Sequence, residues 1–229
     1  MHLIPLPEGR KLSFYLAAEE YVAREVMPTD DAWMVWQVGP SVICGRNQDI
    51  ATEVNLDYCR QQGIGVFRRK SGGGCVYADM GNVMLTMIAC SDQVAFTYHR
   101  FVEMLLLLLR DIGVHATHTG RNDILVDGRK VSGTAFQLLT THSIAHSTML
   151  FDTDMQHMLN AITPTRAKLE AHSVKSVNQR ITLLKNHTGV TPQQFVSLCQ
   201  RRLGQQTLNL TAADLTAIER QASAFDIRL

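Results

Sequence analysis

Paired cysteines, the usual mark of a zinc ribbon or a dithiol redox motif, are missing. The five cysteines, Cys44, Cys59, Cys75, Cys90 and Cys199, are odd in number and widely spaced, and no CxxC occurs. This pattern suits a reducing compartment in which most cysteines act as small core residues. Long hydrophobic runs are also missing. The longest aliphatic stretch, 105–109, is far too short to cross a bilayer, and the N-terminus lacks the basic-then-apolar order of a secretory signal. A cytoplasmic location without a membrane partner is expected. Charge of one sign does not dominate either. Lys and Arg total 22 against 21 Asp and Glu, a net charge of +1, so no broad field is available to draw in nucleic acid. No Gly/Ser-rich or Pro-rich linker and no repeat divides the 229 residues. One domain over 1–229 is expected, large enough to bury a core without staples.

Several catalytic signatures are absent as well. There is no GxxxxGK[ST] phosphate loop, no GxGxxG dinucleotide fingerprint, no HExxH metal helix and no GxSxG elbow. His115/His118 and His142/His146 have helical ligand spacing, but in stretches that read as loop or strand, which favours structural roles over a metal site.

What is present alternates between helical and strand patterns. Residues 12–27 carry apolar side chains at helical spacing, and 33–38 and 41–44 read as strands about a Gly39-Pro40 turn. A helix is expected over 54–62, stopped by Gly63. Two strands flank Asp79-Met80-Gly81-Asn82, the second over 83–89. Residues 96–112 are apolar almost all round, which predicts a buried helix ended by Gly113. Asp127-Gly128 between strand-like runs is a strong hairpin signal, because both residues tolerate positive φ. A strand over 148–151 leads to a helix whose start is marked by Thr153 and Gln156 at capping-box spacing. Thr191-Pro192-Gln193-Gln194 opens another helix, closing near Gly204. The class is therefore α+β, a mainly antiparallel sheet with flanking helices.

Two stretches carry chemistry. In Arg68-Arg69-Lys70-Ser71-Gly72-Gly73-Gly74 the glycines let backbone N–H groups approach anionic oxygens, and three adjacent cations suit a phosphate or carboxylate. On composition alone, a flexible basic surface loop explains the stretch equally well. The second is Gly120-Arg121-Asn122-Asp123, the hairpin, then Lys130-Val131-Ser132-Gly133. Strand alternation places Lys130 and Ser132 on one face and Val131 and Gly133 on the other. Small neighbours leave room for a substrate whose developing negative charge the Lys130 amine could neutralise. From spacing alone, a solvent-facing strand lysine is the simpler reading.

Taken together, these segments resemble the lipoate–protein ligases of the biotin/lipoate protein ligase superfamily. Arg68 to Asn82, RRKSGGGCVYADMGN, is similar to their RRxSGGGxVxxDxGN signature. Gly120-Arg121-Asn122-Asp123-Ile124 with Asp127-Gly128-Arg129-Lys130-Val131-Ser132-Gly133 resembles GRNDI…GRKxSG. His146-Ser147-Thr148-Met149-Leu150 resembles HGTLL with serine for glycine, and Gly45-Arg46-Asn47-Gln48 resembles GRxQ. Ser176-Val177-Asn178-Gln179-Arg180-Ile181-Thr182 resembles SVRSRVT with one arginine fewer. Five blocks in order, over most of the chain, are far more specific than any one of them.

The resemblance implies a biotin/lipoate-ligase fold related to class II aminoacyl-tRNA synthetase catalytic domains. It implies ATP and Mg²⁺ as cofactors and lipoate as substrate, with lipoyl-AMP formed first. A lysine of a lipoyl domain (the E2 subunits of 2-oxoacid dehydrogenases) or of the glycine-cleavage H protein then accepts the lipoyl group. On this resemblance Lys130 is the catalytic residue. Arg69, Ser71, Gly72, Gly73, Gly74, Cys75, Val76, Tyr77, Asn122, Asp123, Ser132, Gly133, His146 and Arg180 join it in binding ATP or lipoyl-AMP. Asp123 also stands near phosphate-bound Mg²⁺. The chain stops at Leu229, about where the family's large domain ends, so the C-terminal accessory domain of many members is expected to be absent. That opens two alternatives: half of a split ligase needing a separate accessory protein, or a transferase using a preformed acyl donor. Residues 115–120, where related octanoyl transferases place a nucleophilic cysteine, contain none. A sensor or scaffold that binds the lipoyl ligand is the non-enzymatic alternative.

Overall fold

The computed structural model describes residues 1–120, 122–162 and 180–227. The large sheet has eight strands in the order β11-β1-β2-β6-β10-β9-β8-β7. These are β1 (His2–Leu3), β2 (Ala32–Trp36), β6 (Asn82–Ala89), β7 (Thr117–His118), β8 (Asp123–Val126), β9 (Arg129–Leu138), β10 (Ser143–Leu150) and β11 (Gln206–Thr207). A smaller sheet has the order β4-β3-β5, from β4 (Gly65–Arg68), β3 (Ser41–Cys44) and β5 (Val76–Ala78). Pairing is antiparallel except for β1 with β2 and β11, and β3 with β4. The architecture is α+β, as expected.

Period-two alternation sends the central strands into two cores. Ala32, Met34, Trp36, Met84, Ile88 and Ile144 pack beneath α1 (Leu12–Tyr21) and α7 (Ala212–Ala222). Trp33, Val35, Leu85, Met87, Ala145 and Met149 pack on the other face, under α4 (Val94–Asp111) and α6 (Pro192–Leu203). The small sheet has its own cluster with α3 (Leu56–Gln61) and α5 (Met155–Ala161).

Several expectations are refined. The first helix keeps α geometry only to Tyr21. Residues Val22–Val26 form a wider π turn, ended by Met27 at φ 47°. The strands around Gly39-Pro40 do not pair but enter different sheets, and so do those around 79–82. There Asn82 N–H donates to Asp79 O at 2.9 Å, turning the chain from β5 to β6. The expected 54–62 helix is two short ones, α2 (Ile50–Glu53) and α3, each capped by a side chain, Asp49 and Asn55. α4 is not buried all round: Thr97, Phe101, Val102, Leu105, Leu108 and Leu109 face the core while Val94 and Phe96 are exposed. The N-cap of α5 is Asp154, which accepts from His157 N–H, and not Thr153, which is buried. The Thr191–Gln194 capping box and the Asp127-Gly128 hairpin form as read, the latter with φ 50° and 72°. Residues 176–179 of the last motif block lie outside the described residues, as does Arg121.

Candidate active site

The register of the large sheet builds a floor. On the α1 face, Trp36 pairs with Met84, Met84 with Thr148, Thr148 with Gly133, and Gly133 with Asp123. The next row runs Met34, Thr86, His146, Ala135. Above this floor lie Leu16 of α1, Ile43 and Val76 of the small sheet, and the glycine loop, which together bound an open cleft. Tyr15 stacks flat on Trp36 at 4.5 Å, which fixes that side chain in the wall.

Lys130 reaches the cleft because the hairpin is irregular. β8 and β9 pair Ile124 with Ser132 but Leu125 with Lys130, leaving Val131 as a bulged extra residue. The bulge breaks the alternation expected from sequence. Val131 and Ser132 are wholly buried, while Lys130 leans over Gly133. A Cβ at Gly133 would stand 3.2 Å from Lys130 Nζ, so glycine leaves the space that the amine occupies. Lys130 Nζ pairs with Asp123 at 2.7 Å, and both side chains remain about a third exposed. Thr182 N–H donates to Lys130 O at 2.9 Å, pinning the bulge from the far side. Thr134 N–H and Oγ1 both donate to Asn122 O, at 2.8 and 3.1 Å, fixing Asn122 in the wall.

The glycine loop folds onto the Gly45-Arg46-Asn47-Gln48 block. A Cβ on Gly45 would lie 2.0 Å from Gly73 O, an approach only glycine permits. The three cations of this stretch all have partners within the protein. Arg68 Nη1 donates to Gly45 O, Arg46 O and Gln48 O at 2.9–3.0 Å. Arg69, only 6% exposed, donates to Ile43 O, Gly72 O and Gly74 O, which offsets the burial that lowers its pKa. Lys70 pairs with Glu20 and lies over the Phe225 ring. Their task in this structure is to shape the loop.

Beneath the loop runs a buried polar relay. Ser71 Oγ is 2.8 Å from His146 Nε2, His146 Nδ1 is 3.0 Å from Glu19 Oε2, and Thr86 Oγ1 donates to Glu19 Oε1 at 2.6 Å. Trp36 Nε1 donates to Thr86 Oγ1 at 3.3 Å and closes the chain. Glu19 and Thr86 were not singled out from sequence. The only signal was the Glu19-Glu20 pair closing a largely apolar helix segment.

The structure thus gathers Arg69, Gly73, Gly74, Cys75, Val76, Asn122, Lys130, Gly133 and His146 along one cleft. Ser71 is held just behind His146, Asp123 flanks Lys130, and Gly72 belongs to the same loop. Three expected residues stand elsewhere. Tyr77 alternates away from Val76 into the small-sheet core and stacks on His157. Ser132 is buried within the sheet, and Arg180 is exposed outside the cleft wall. Among the described residues no cluster of three acidic, histidine or cysteine side chains could cage a metal. No helix among them is long and apolar enough to cross a membrane.

The family model described as lipoyl protein ligase A/B catalytic domain matches residues 11–204. The chain belongs to the lipoyl protein ligase A/B catalytic-domain family. Lipoate-protein ligase LplJ of Bacillus subtilis, a relative, is 37% identical over 191 residues, 82% of this chain and 58% of its own length. The chain spans about half the length of the curated relatives it matches. The same fold occurs in a chain from an archaeal lipoylation system, a bi-partite lipoate protein ligase and its E2 lipoyl domain from Thermoplasma acidophilum. The TM-score is 0.82 at 22% identity, covering 97% of this chain and 91% of that one. A lipoate-protein ligase A bound with ATP matches with TM-score 0.82 at 21% identity, covering 97% and 94%. Residues of the 68–82, 120–133 and 146–150 segments line the cleft together.

Proposed function

We propose that this domain joins lipoate to ATP as lipoyl-AMP and passes the lipoyl group to a lysine of a lipoyl domain, with the glycine-cleavage H protein as a further acceptor. The observation that carries this reading is the Lys130 amine, held over Gly133 at a cleft with an apolar wall. Leu16, Trp36, Ile43, Val76 and Met84 offer that wall to an acyl chain. Lys130 stands where charge develops, first on the α-phosphate and then on the acyl oxygen. A fixed cation there lowers both barriers. Asn122 and the glycine-loop backbone flank the same point. Asp123 is a single, partly exposed carboxylate, which fits a Mg²⁺ carried in on phosphates rather than a caged metal. There it would hold the ion, whose charge offsets that of the phosphates.

A second form of this reading is the catalytic half of a split ligase, by analogy with the similarly folded chain of a bi-partite lipoate protein ligase. Pyrophosphate release from ATP, Mg²⁺ and lipoate separates the alternatives. Release by the chain alone supports the ligase, and release only with an added accessory protein supports the split enzyme. If neither occurs but lipoyl-AMP still modifies a lipoyl domain, the protein is a transferase. Binding without any reaction would leave a sensor.

A further inference from the structure

Outside the Lys130 machinery, the small sheet places two thiols face to face at the exit of the glycine loop. β3 and β5 pair antiparallel, with Val42 opposite Tyr77 and Ile43 opposite Val76. The next position in that register sets Cys44 opposite Cys75. Directly opposed residues point to the same face of an antiparallel pair. Their Cα atoms lie about 4.5 or 5.5 Å apart, depending on the hydrogen-bonding pattern. Both spacings fall within the roughly 4.4–6.8 Å that a disulfide spans. The two thiols perturb each other's ionisation, lowering the pKa of Cys44 and raising that of Cys75. Cys44 is wholly buried, whereas Cys75 is partly exposed and forms part of the cleft wall.

We propose that Cys44 and Cys75 form a dithiol modification site, which a hydroperoxide converts to a disulfide that reversibly ties the glycine loop's exit to β3. The hydrogen bond from Cys75 lowers the pKa of Cys44, burial opposes this, and the charges of Arg68 and Arg69 assist. The neighbouring Cys44 and burial raise the pKa of Cys75 instead, so the reacting thiolate is that of Cys44, directly behind the Cys75 side chain that lines the cleft and past which a small oxidant must come. In the first step the thiolate sulfur attacks a peroxide oxygen. An S–O bond forms, the O–O bond breaks, and with hydrogen peroxide the departing hydroxide takes a proton and leaves as water. In the second step the partner sulfur attacks the sulfenic sulfur. The S–S bond forms, the S–O bond breaks, and a second water leaves with the remaining proton. Two thiols and one peroxide give one disulfide and two waters.

The consequence for the cleft follows from position. Cys44 directly precedes Gly45, which lies against Gly73, and Cys75 directly follows Gly74. Bonding the sulfurs ties the two stems of this contact to one another, so the loop can no longer shift against β3 to seat a ligand. A misplacement of order 1 Å at a reacting site costs about 100-fold in rate. Cys90 and Cys199 have no such partner arrangement: Cys90 is exposed beyond the end of β6, and Cys199 is buried under the opposite face of the large sheet. Cys59 shares the small-sheet core with Cys44 and is the competing thiol.

The test treats the reduced full chain with stoichiometric hydrogen peroxide, blocks free thiols and maps the peptides by mass. The expected product is a Cys44–Cys75 cross-link that dithiothreitol reverses and that Cys44→Ala cannot form. A Cys44–Cys59 cross-link, or alkylation of both Cys44 and Cys75 after peroxide, would overturn the proposal. The effect on the cleft rests on the ligase reading and is tested separately. Lipoyl transfer should fall at least tenfold in the cross-linked protein and return with dithiothreitol. Full transfer by cross-linked protein overturns the regulatory half. An absence of transfer even in the reduced protein would count against the ligase reading and leave the mapped cross-link standing.

Discussion

Replacing Gly45 by alanine tests whether the two signature loops must touch. The added Cβ would meet Gly73 O at 2.0 Å and Gly73 C at 2.9 Å, whereas ordinary contact begins at 3.4 Å. One backbone must therefore retreat by about 1.4 Å, and neither atom belongs to a flexible side chain. Gly45 has no positive φ, so the effect is steric rather than conformational. Overpacking of this kind costs about 1–3 kcal/mol, or roughly 5 °C in melting temperature for a domain of this size. The catalytic loss should be larger, because the retreat displaces the loop that faces Lys130, and a 1 Å misplacement costs about 100-fold. The assay is lipoate-dependent pyrophosphate release beside a thermal melt. Gly39→Ala serves as the control, since a Cβ there meets nothing within 4 Å. A Gly45→Ala protein matching the control in both assays would refute the packing argument.

Other outcomes follow from the same geometry. Glu19→Ala leaves the Thr86 hydroxyl and His146 Nδ1 without their buried acceptor, so stability should drop by about 2–5 kcal/mol in denaturant titration. An unchanged midpoint would show that the relay is dispensable. Glu20 is drawn into burial, which would raise its pKa, but hydrogen bonds from Lys70 and Arg24 outweigh this and lower it. Its contribution to stability is thus full above the unfolded value of about 4.3 and is lost as pH falls through the lower folded value. The acid limb of the stability curve should flatten in Glu20→Gln. Gly128→Ala places a side chain at φ 72° in the turn that carries Lys130 and should destabilise by about 1–2 kcal/mol, measured by thermal melting. Asp123→Asn should alter stability by less than about 1 kcal/mol, because the ion pair is partly exposed, while lowering kcat by releasing the Lys130 amine.

Features with local causes were legible in the sequence. The Asp127-Gly128 turn, the Thr191 capping box and the glycine loop depend on residues within a few positions of one another. Strand partnership does not, so the runs around Gly39-Pro40 and 79–82 read as neighbours although they enter separate sheets. β10 was foreseen only from residue 148, because Ser143, His146 and Ser147 interrupt the apolar pattern, although Ser143 and His146 meet polar partners inside the fold and Ser147 is buried in the sheet. The site shows the same division. Lys130 and the motif blocks could be named, but the bulge at Val131 that turns Lys130 over Gly133 has no sequence signal beyond the glycine. The partners of Arg68, Arg69 and Lys70 could not be read locally, because Gly45 O, Ile43 O and Glu20 come from distant segments. Tyr77 belonged to a matching motif, yet alternation along β5 turns it into the core.

The most direct measurement is lipoyl transfer from preformed lipoyl-AMP to a lipoyl domain by Lys130→Ala, with a thermal melt of the same sample. Loss of one preorganised cation at the developing charge should lower turnover by about 100- to 1,000-fold. The melt should stay within about 2 °C, since Lys130 is a partly exposed strand residue whose only described ion pair is at the cleft. Wild-type turnover by a folded Lys130→Ala protein would contradict the placement of the reaction at this amine.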